Sequence, residues 1–377
     1  MCGVEAEIVV LPGIFDNYNR EEAGKRLSFE SNPRSEFLPL LTYTVFEKAL
    51  EANATSIALD VSHGMNFVPT LALRAAEEAA AALAAAKIEP VKLKVYQSDP
   101  YPPGFQKLER SKEDVCKPSQ DSVEPPSLRY NLILEKTFEP WDLTRYTSYE
   151  GGQVLKVLTD QKGCNLSDVQ NLLKEWALPL LGAFRLGALP QLALLAKAAP
   201  LRGFRKAVES AIECWKRKRI VQKGNTLRVV SGTRFASGFW ALIHARAVLE
   251  GTRKLISARG SAPPEEATLT PPLEKTTVTL EELKSLKKLL EGSKVVKMLV
   301  NREISKLEDQ KGQWSSKYRS EGGDNGTFKR DFIAHAGFHI DVLEVRLVGK
   351  ELEIRMKSDQ WKRVKEVLCK VTQEGAV

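Results

Sequence analysis

Cysteine is scarce in this chain. Five residues in 377, Cys2, Cys116, Cys164, Cys214 and Cys369, are scattered and odd in number, with no CxxC and no Cys/His pairing at metal-ligand spacing. That pattern argues against a disulfide framework and against a thiolate metal site, and the thiols are expected to be reduced, as in a cytoplasmic protein. Long apolar runs are also missing. The greasiest segment, ALPLLGAFRLGALPQLALLAKAA, is interrupted by Pro179, Arg185 and Pro190, and no basic stretch followed by an apolar core opens the sequence. Neither a membrane span nor a signal peptide is expected. The G-x-G-x-x-G that a nicotinamide-binding fold places after its first strand is absent, and LPGIFDN does not substitute for it. There is no internal repeat, and no lysine- or serine-based nucleophile constellation.

The bulk numbers that remain are ordinary for a folded protein: 43% hydrophobic and 28% charged residues, with a formal net charge of +8. The length allows two domains with sizeable cores, and the positive balance favours an anionic partner without naming one.

In the N-terminal half, apolar runs alternate with helical stretches. EIVVLPGI (residues 7–14) reads as a buried first strand, and SIALDV, KLKVY and RYNLILEKT read as further strands. SEFLPLLTYTVFEKALEA and FVPTLALRAAEEAAAALAAAK supply helices between the first three. This order implies an α/β domain with a parallel, doubly wound sheet, whose ligands sit beyond the carboxyl ends of the strands. At one such end lies DVSHGMNFVP. Gly64 permits close backbone approach, Asn66 can cap the next helix, and Pro69 is tolerated in its first turn. The helix start offers unpaired amides to a phosphate. Ser62, His63 and Asn66 add donors for a ribose, phosphate or adenine, and the loop GIFDNYN can contribute Gly13 and Asp16. Residue types alone fit equally a capped strand-to-helix turn with His63 exposed.

Residues 100–127, rich in proline, serine and charge, read as a long loop inside this first domain, near its ligand. DLTRYTSYEGG reads as a connector, and a mainly helical region follows, opening with a capping-box pattern at Ser167-x-x-Gln170. From Phe204 to Lys223, a stripe of Phe204, Val208, Ile212 and Trp215 opposes Arg205, Lys206, Lys216, Arg217, Lys218 and Arg219, which predicts an amphipathic helix with a basic flank. That flank is either a solvated surface or part of an RNA track extended by Arg228, Arg234, Arg246, Arg253, Lys254 and Arg259. SAPPEEATLTPPLEKTT is expected to be an inserted loop, about 260–278, and Thr279-x-x-Glu282 restarts a helix that runs on towards Met298. LEVRL and ELEIRM, joined at Gly349-Lys350, form a hairpin, and a last helix starts near Asp359.

Within FKRDFIAHAGF stand Arg330, Asp331 and His335, on a short helix with Thr327 as its expected cap and Gly337 as its stop. A histidine and a fixed cation are enough to cleave RNA, because the 2′-hydroxyl is a nucleophile the substrate carries itself. Imidazole exchanges protons near neutrality, and a guanidinium stays charged beside the phosphate. Residues five apart are rotated by roughly 140° on an ideal helix, whereas Asp331 and His335, four apart, share a face. Asp331 is therefore expected to orient the imidazole, with Arg330 reaching around the helix or acting across a subunit interface. The same residues fit a solvated helix face behind a buried stripe of Phe328, Phe332 and Ala336.

The run closely resembles the R-x(4-6)-H signature of HEPN ribonucleases, in the version of CRISPR-associated enzymes in which Ala-Gly follows the histidine; here Asp331 stands where asparagine is usual. Asp60, Ser62, His63, Gly64 and Asn66 match the D-hydrophobic-[ST]-H-G-x-N motif of CARF domains, the CRISPR-associated Rossmann fold. The resemblance implies a CARF domain (1–150) followed by a helical region with a HEPN domain and a β-hairpin (151–377). It also implies cyclic oligoadenylate, four adenylates favoured over six, bound at a dimer axis by that loop together with Gly13, Asp16 and Ser31. The implied activity is endoribonuclease cleavage of single-stranded RNA at a composite site in a homodimer or higher oligomer, with no metal or other cofactor required. Two rivals stay open: a ligand-responsive RNA binder that does not cut, and an enzyme that opens the cyclic ligand.

Overall fold

The structure, a computed structural model, describes residues 7–12, 21–22, 25–62, 67–99, 129–149, 154–217, 219–222, 226–256, 273–308, 325–339 and 341–373. The expected loop of residues 100–127 lies wholly outside these.

Residues 7–12 are irregular, and Ile8 and Val10 are 87% and 90% exposed, so the expected first strand does not form over this part of its span. An apolar run becomes a strand only where a sheet edge accepts its ladder, and a period cannot tell whether one does. Among the described residues the first strands are β1 (Glu21–Glu22) and β2 (Lys25–Glu30). Asn32 then accepts hydrogen bonds from the amides of Arg34 and Ser35, both 3.1 Å, and Pro33 pre-sets the first helical φ. A wide turn, Pro33–Phe37, leads into α1 (Leu38–Glu51). After β3 (Ser56–Asp60), α2 (Val68–Lys87) crosses over to β4 (Val91–Ser98). β3 and β4 pair in parallel, Ile57 opposite Leu93 and Leu59 opposite Val95. β5 (Tyr130–Phe138) adds to β4 antiparallel, making this sheet mixed, with the order β3-β4-β5.

A short 3-10 helix, Pro140–Tyr146, follows β5. In the helical region α3 (Ser167–Leu172) continues through Leu173–Ala177 into α4 (Leu178–Leu186), followed by α5 (Leu189–Ala198) and α6 (Leu201–Arg217). Pro190 stands in the first turn of α5, where a missing amide costs nothing, so one proline that breaks the apolar run also starts a helix, while Pro179 follows the wide turn Leu173–Ala177 inside the continuous α3–α4 helix. The expected box at Ser167 is not made: Ser167 Oγ donates to Asn165, and Gln170 Nε2 reaches Gln161. α6 buries Phe204, Val208 and Trp215 as its stripe predicts, but ends at Arg217. The residues that follow form β6 (Arg219–Gln222), hairpinned to β7 (Thr226–Ser231). β7 pairs in parallel with β2, giving a second sheet, β1-β2-β7-β6, that joins residues 25–30 to 226–230.

α7 (Ser237–Ile256) is buried along most of its length. Its Gly251 faces α2 so closely that a Cβ would come 2.0 Å from the Ala85 carbonyl oxygen, and the alanine run Ala79–Ala86 supplies the matching shallow surface. Cys164 and Cys214 form a disulfide, with Cα atoms 6.0 Å apart, that ties the segment before α3 to α6. This corrects the expectation of reduced thiols throughout. The partners are 50 residues apart, a separation that carries no spacing signal.

β8 (Thr277–Thr279) leads into α8 (Leu280–Leu286). Thr279 and Glu282 form the expected capping box: Glu282 N donates to Thr279 Oγ1 at 3.2 Å, and Thr279 N to Glu282 Oε2 at 2.8 Å. The helix does not run through to Met298. It stops, turns at Gly292 (φ +103°) and restarts as α9 (Lys294–Glu308). α10 (Asn325–Ala334) comes next, then β9 (Leu343–Val348) and β10 (Glu351–Met356), joined at Gly349 with φ +63° as the hairpin turn requires. β8 adds to β10, so the expected hairpin is a three-stranded sheet. α11 (Trp361–Gln373) closes the described chain and packs on α4, where Gly182 lets the Leu368 carbonyl approach within 2.1 Å of a Cβ position. Among the described residues no helix is long and apolar enough to cross a membrane.

Candidate ligand loop and ribonuclease site

At the carboxyl end of β3, Asp60 accepts a hydrogen bond from Ser62 N (2.8 Å) and another from Ser62 Oγ. Ser62 Oγ in turn accepts from Ser98 N at 2.5 Å, which ties this loop to the end of β4. The carboxylate and hydroxyl of the expected ligand motif therefore hold the strand ends in register. Their neighbours His63, Gly64 and Asn66, and the first-loop residues Gly13 and Asp16, lie outside the described residues. Ser31 directly follows β2, which lies in a different sheet from β3, and its Oγ is buried with no hydrogen-bond partner among the described residues. α2 takes Phe67 as its capping residue, without a side-chain bond, and Pro69 in its first turn.

In the second candidate region α10 buries Phe328, Phe332 and the following Ala336 against the helical core. Thr327 lies within α10 rather than capping it, because the helix begins at Asn325. The helix is stopped by left-handed backbone at Ala336 (φ 47°) and Gly337 (φ 77°), with Gly337 N donating to the Phe332 carbonyl at 2.8 Å. Gly337 carries a second constraint: its carbonyl accepts from Gln191 Nε2 of α5 at 3.0 Å, and a Cβ there would sit 2.1 Å from Gln191 Oε1. The end of α10 is thus docked on α5 just beyond His335.

Arg330 projects into solvent, its side chain 80% exposed, with Nε 3.5 Å from Asp331. His335 is part-buried, and its Nδ1 lies 3.2 Å from Oε1 of Glu303, whose side chain is fully buried. Glu303 also meets Arg302 at 3.1 Å and Lys306 at 3.0 Å, so α9 presents one buried carboxylate among three cationic or ionisable neighbours. The expected orienting contact from Asp331 is not made: Asp331 pairs with Arg330, while Glu303, 32 residues upstream of the histidine, touches the ring. Helix spacing could only propose a partner on the same helix. With Nδ1 donating to a carboxylate, proton exchange with a substrate falls to Nε2.

A second histidine, His339, is buried edge-on against Phe328 with ring centroids 5.1 Å apart. Burial lowers its pKa, opposed by the negative charges of Asp341 and Asp331, so it stays a neutral packing group at neutral pH. The basic residues thought to extend an RNA track are partly internal. Arg246 is buried against Glu47, and Arg253 donates to the carbonyls of Ala196 (2.8 Å) and Ala199, so neither faces a nucleic acid.

The described residues therefore offer two candidate regions, the end of β3 at Asp60 and Ser62, and the contact of His335 with buried Glu303 at the end of the helix that also carries Arg330. Residues 2–100 match the family model for the CARF domain of the CRISPR system endoribonuclease Csx1, and residues 293–359 match the model for its HEPN domain. The chain thus carries a CARF domain followed by a HEPN domain, the pairing of a CARF–HEPN CRISPR ribonuclease, and the two domains support a ligand-sensing ribonuclease. Its CARF domain implies a cyclic oligoadenylate activator, and its HEPN domain indicates endoribonuclease activity. Among curated proteins none matches the chain.

Proposed function

We propose that this chain is a cytoplasmic, homodimeric endoribonuclease of single-stranded RNA, switched on by a cyclic oligoadenylate, with cyclic tetra-adenylate as the favoured activator. The sensor comprises residues 1–150 and the effector residues 151–377. The observation that supports the chemistry best is the 3.2 Å contact between His335 Nδ1 and buried Glu303.

In the reaction the 2′-oxygen attacks the adjacent phosphorus, Nε2 of one His335 accepts its proton, and the bond from phosphorus to the 5′-oxygen breaks. The 5′-oxygen receives a proton from the second protomer's copy of that histidine. The products are a 2′,3′-cyclic phosphate and a 5′-hydroxyl. Arg330 stabilises the charge that builds on the phosphoryl oxygens. One protomer offers one imidazole and one guanidinium; a two-fold axis brings two of each into one cleft and matches the symmetry of a cyclic activator. No metal-bound hydroxide is needed, because the nucleophile belongs to the substrate.

The reading is tested by incubating labelled single-stranded RNA with cyclic tri-, tetra- and hexa-adenylate in EDTA. Cleavage is expected with the tetra-adenylate, leaving cyclic-phosphate ends. Intact RNA retained on the protein would identify a binder, and conversion of the activator on chromatography would identify a ligand-opening enzyme. In the same assay Ser62→Ala is expected to raise the activator concentration for half-maximal rate up to about tenfold, the worth of one hydrogen bond, with the saturated rate unchanged.

A further inference from the structure

Beyond the two family matches, at the start of α11, Arg363 lays its guanidinium over the face of Phe328, with Cζ 3.6 Å from the ring centroid. Phe328 is on α10, seven residues before His335. Seven residues are two helical turns, so the two side chains lie within about 20° of one face and on the order of 10 Å apart along the axis. Arg363 is part-exposed, and among the described residues no carboxylate pairs with it. Its positive charge is nevertheless felt at His339, where it adds to the effect of burial in disfavouring the protonated ring.

Among the described residues, Arg302 is paired to Glu303, and Arg346 and Arg355 to carboxylates across the hairpin. Stacking holds the Arg363 guanidinium while leaving its N–H donors without a carboxylate among the described residues. This is the preorganised state in which arginine takes a phosphate with little further loss of side-chain freedom.

We propose that Arg363 is a substrate-positioning residue that binds a phosphodiester of the RNA on the His335 side of α10, a nucleotide or so from the cut. The proposal rests on the reading of the chain as a ribonuclease. It explains why an arginine on the last helix is stacked on the helix that carries the reactive histidine, and it gives the strand a second fixed point without which the 2′-oxygen would not be held in line.

The test uses the full chain with cyclic tetra-adenylate in a His335→Ala background, so that a labelled single-stranded RNA is bound and not cut. Arg363→Ala is expected to weaken binding about tenfold and to lower the slope of log affinity against log salt by about 0.7, the loss of one phosphate contact. Arg363→Lys, which keeps the charge and loses the plane, is expected to restore the salt slope. In the His335-containing enzyme Arg363→Ala is expected to raise KM more than it lowers kcat. An unchanged salt slope in Arg363→Ala, or equal weakening in both variants together with a lower Tm, would overturn the proposal in favour of a packing role for the Phe328 stack. A parent enzyme that leaves RNA intact with every activator would instead remove the ribonuclease reading itself.

Discussion

Replacing His335 by alanine is expected to lower activator-stimulated RNA cleavage by on the order of 10³-fold while leaving RNA affinity within about twofold. The imidazole is part-exposed and anchored through Nδ1 to Glu303, so its removal deletes the group that exchanges protons with substrate and leaves α10 otherwise packed. General acid–base catalysis contributes typically 10²–10⁴-fold per group, and each composite site would lose both its copies. Arg330→Ala is expected to fall in the same range for a different reason, loss of charge stabilisation at the phosphoryl oxygens. Its side chain is 80% exposed and packs on little, so melting temperatures of both variants should stay within a few degrees of the parent. Cleavage is followed by gel at saturating cyclic tetra-adenylate, and affinity by filter binding. Full activity in His335→Ala would remove the proposed chemistry. In a mixed dimer carrying one altered protomer, activity should also collapse if each cleft draws on both chains.

Much of this architecture was legible because its signals are local. The capping box at Thr279 and Glu282, the hairpin turn at Gly349, the stop at Gly337 and the buried stripe of α6 each depend on side chains within a few residues of one another. What sequence did not disclose depends on partners far away along the chain. The parallel pairing of β2 with β7 spans about two hundred residues, β8 joins β10 across the whole of α8, α9 and α10, and the Cys164–Cys214 bond crosses fifty residues. The same division runs through the site. Arg330 and His335 are proposed from one short run, and Asp60 and Ser62 from another. Glu303 was not, because NREISKLE looks like any charged helix until its place beside α10 is known. Its one detectable mark is that it falls beside the apolar positions Val300, Ile304 and Leu307, where an unpaired carboxylate is costly and a paired one is informative. Arg246 and Arg253 failed in the opposite sense: counted as surface charge, they are interior ties between helices.

Glu303→Gln decides which carboxylate orients the catalytic ring. The amide is nearly isosteric and can still accept from Nδ1–H, so the ring stays in place, but the negative charge opposite the developing imidazolium is gone. Arg302 and Lys306, at 3.1 and 3.0 Å from the same carboxylate, then act on the ring without their counter-charge. The expected result is a 10- to 100-fold fall in kcat, as for other groups that hold a catalytic histidine from behind, with KM for RNA unchanged or lower because net positive charge rises. A structural role alone would lower stability and leave the kcat of the folded protein unchanged, so thermal unfolding and kcat are measured on the same preparation. Asp331→Asn is the matched control: its carboxylate faces Arg330 at 3.5 Å, and its loss should lower the rate only through Arg330, by less than Glu303→Gln does. If instead Asp331→Asn lowers kcat by the larger factor and Glu303→Gln leaves it unchanged, orientation comes from the residue on the same helix after all, and the contact between α9 and α10 is packing.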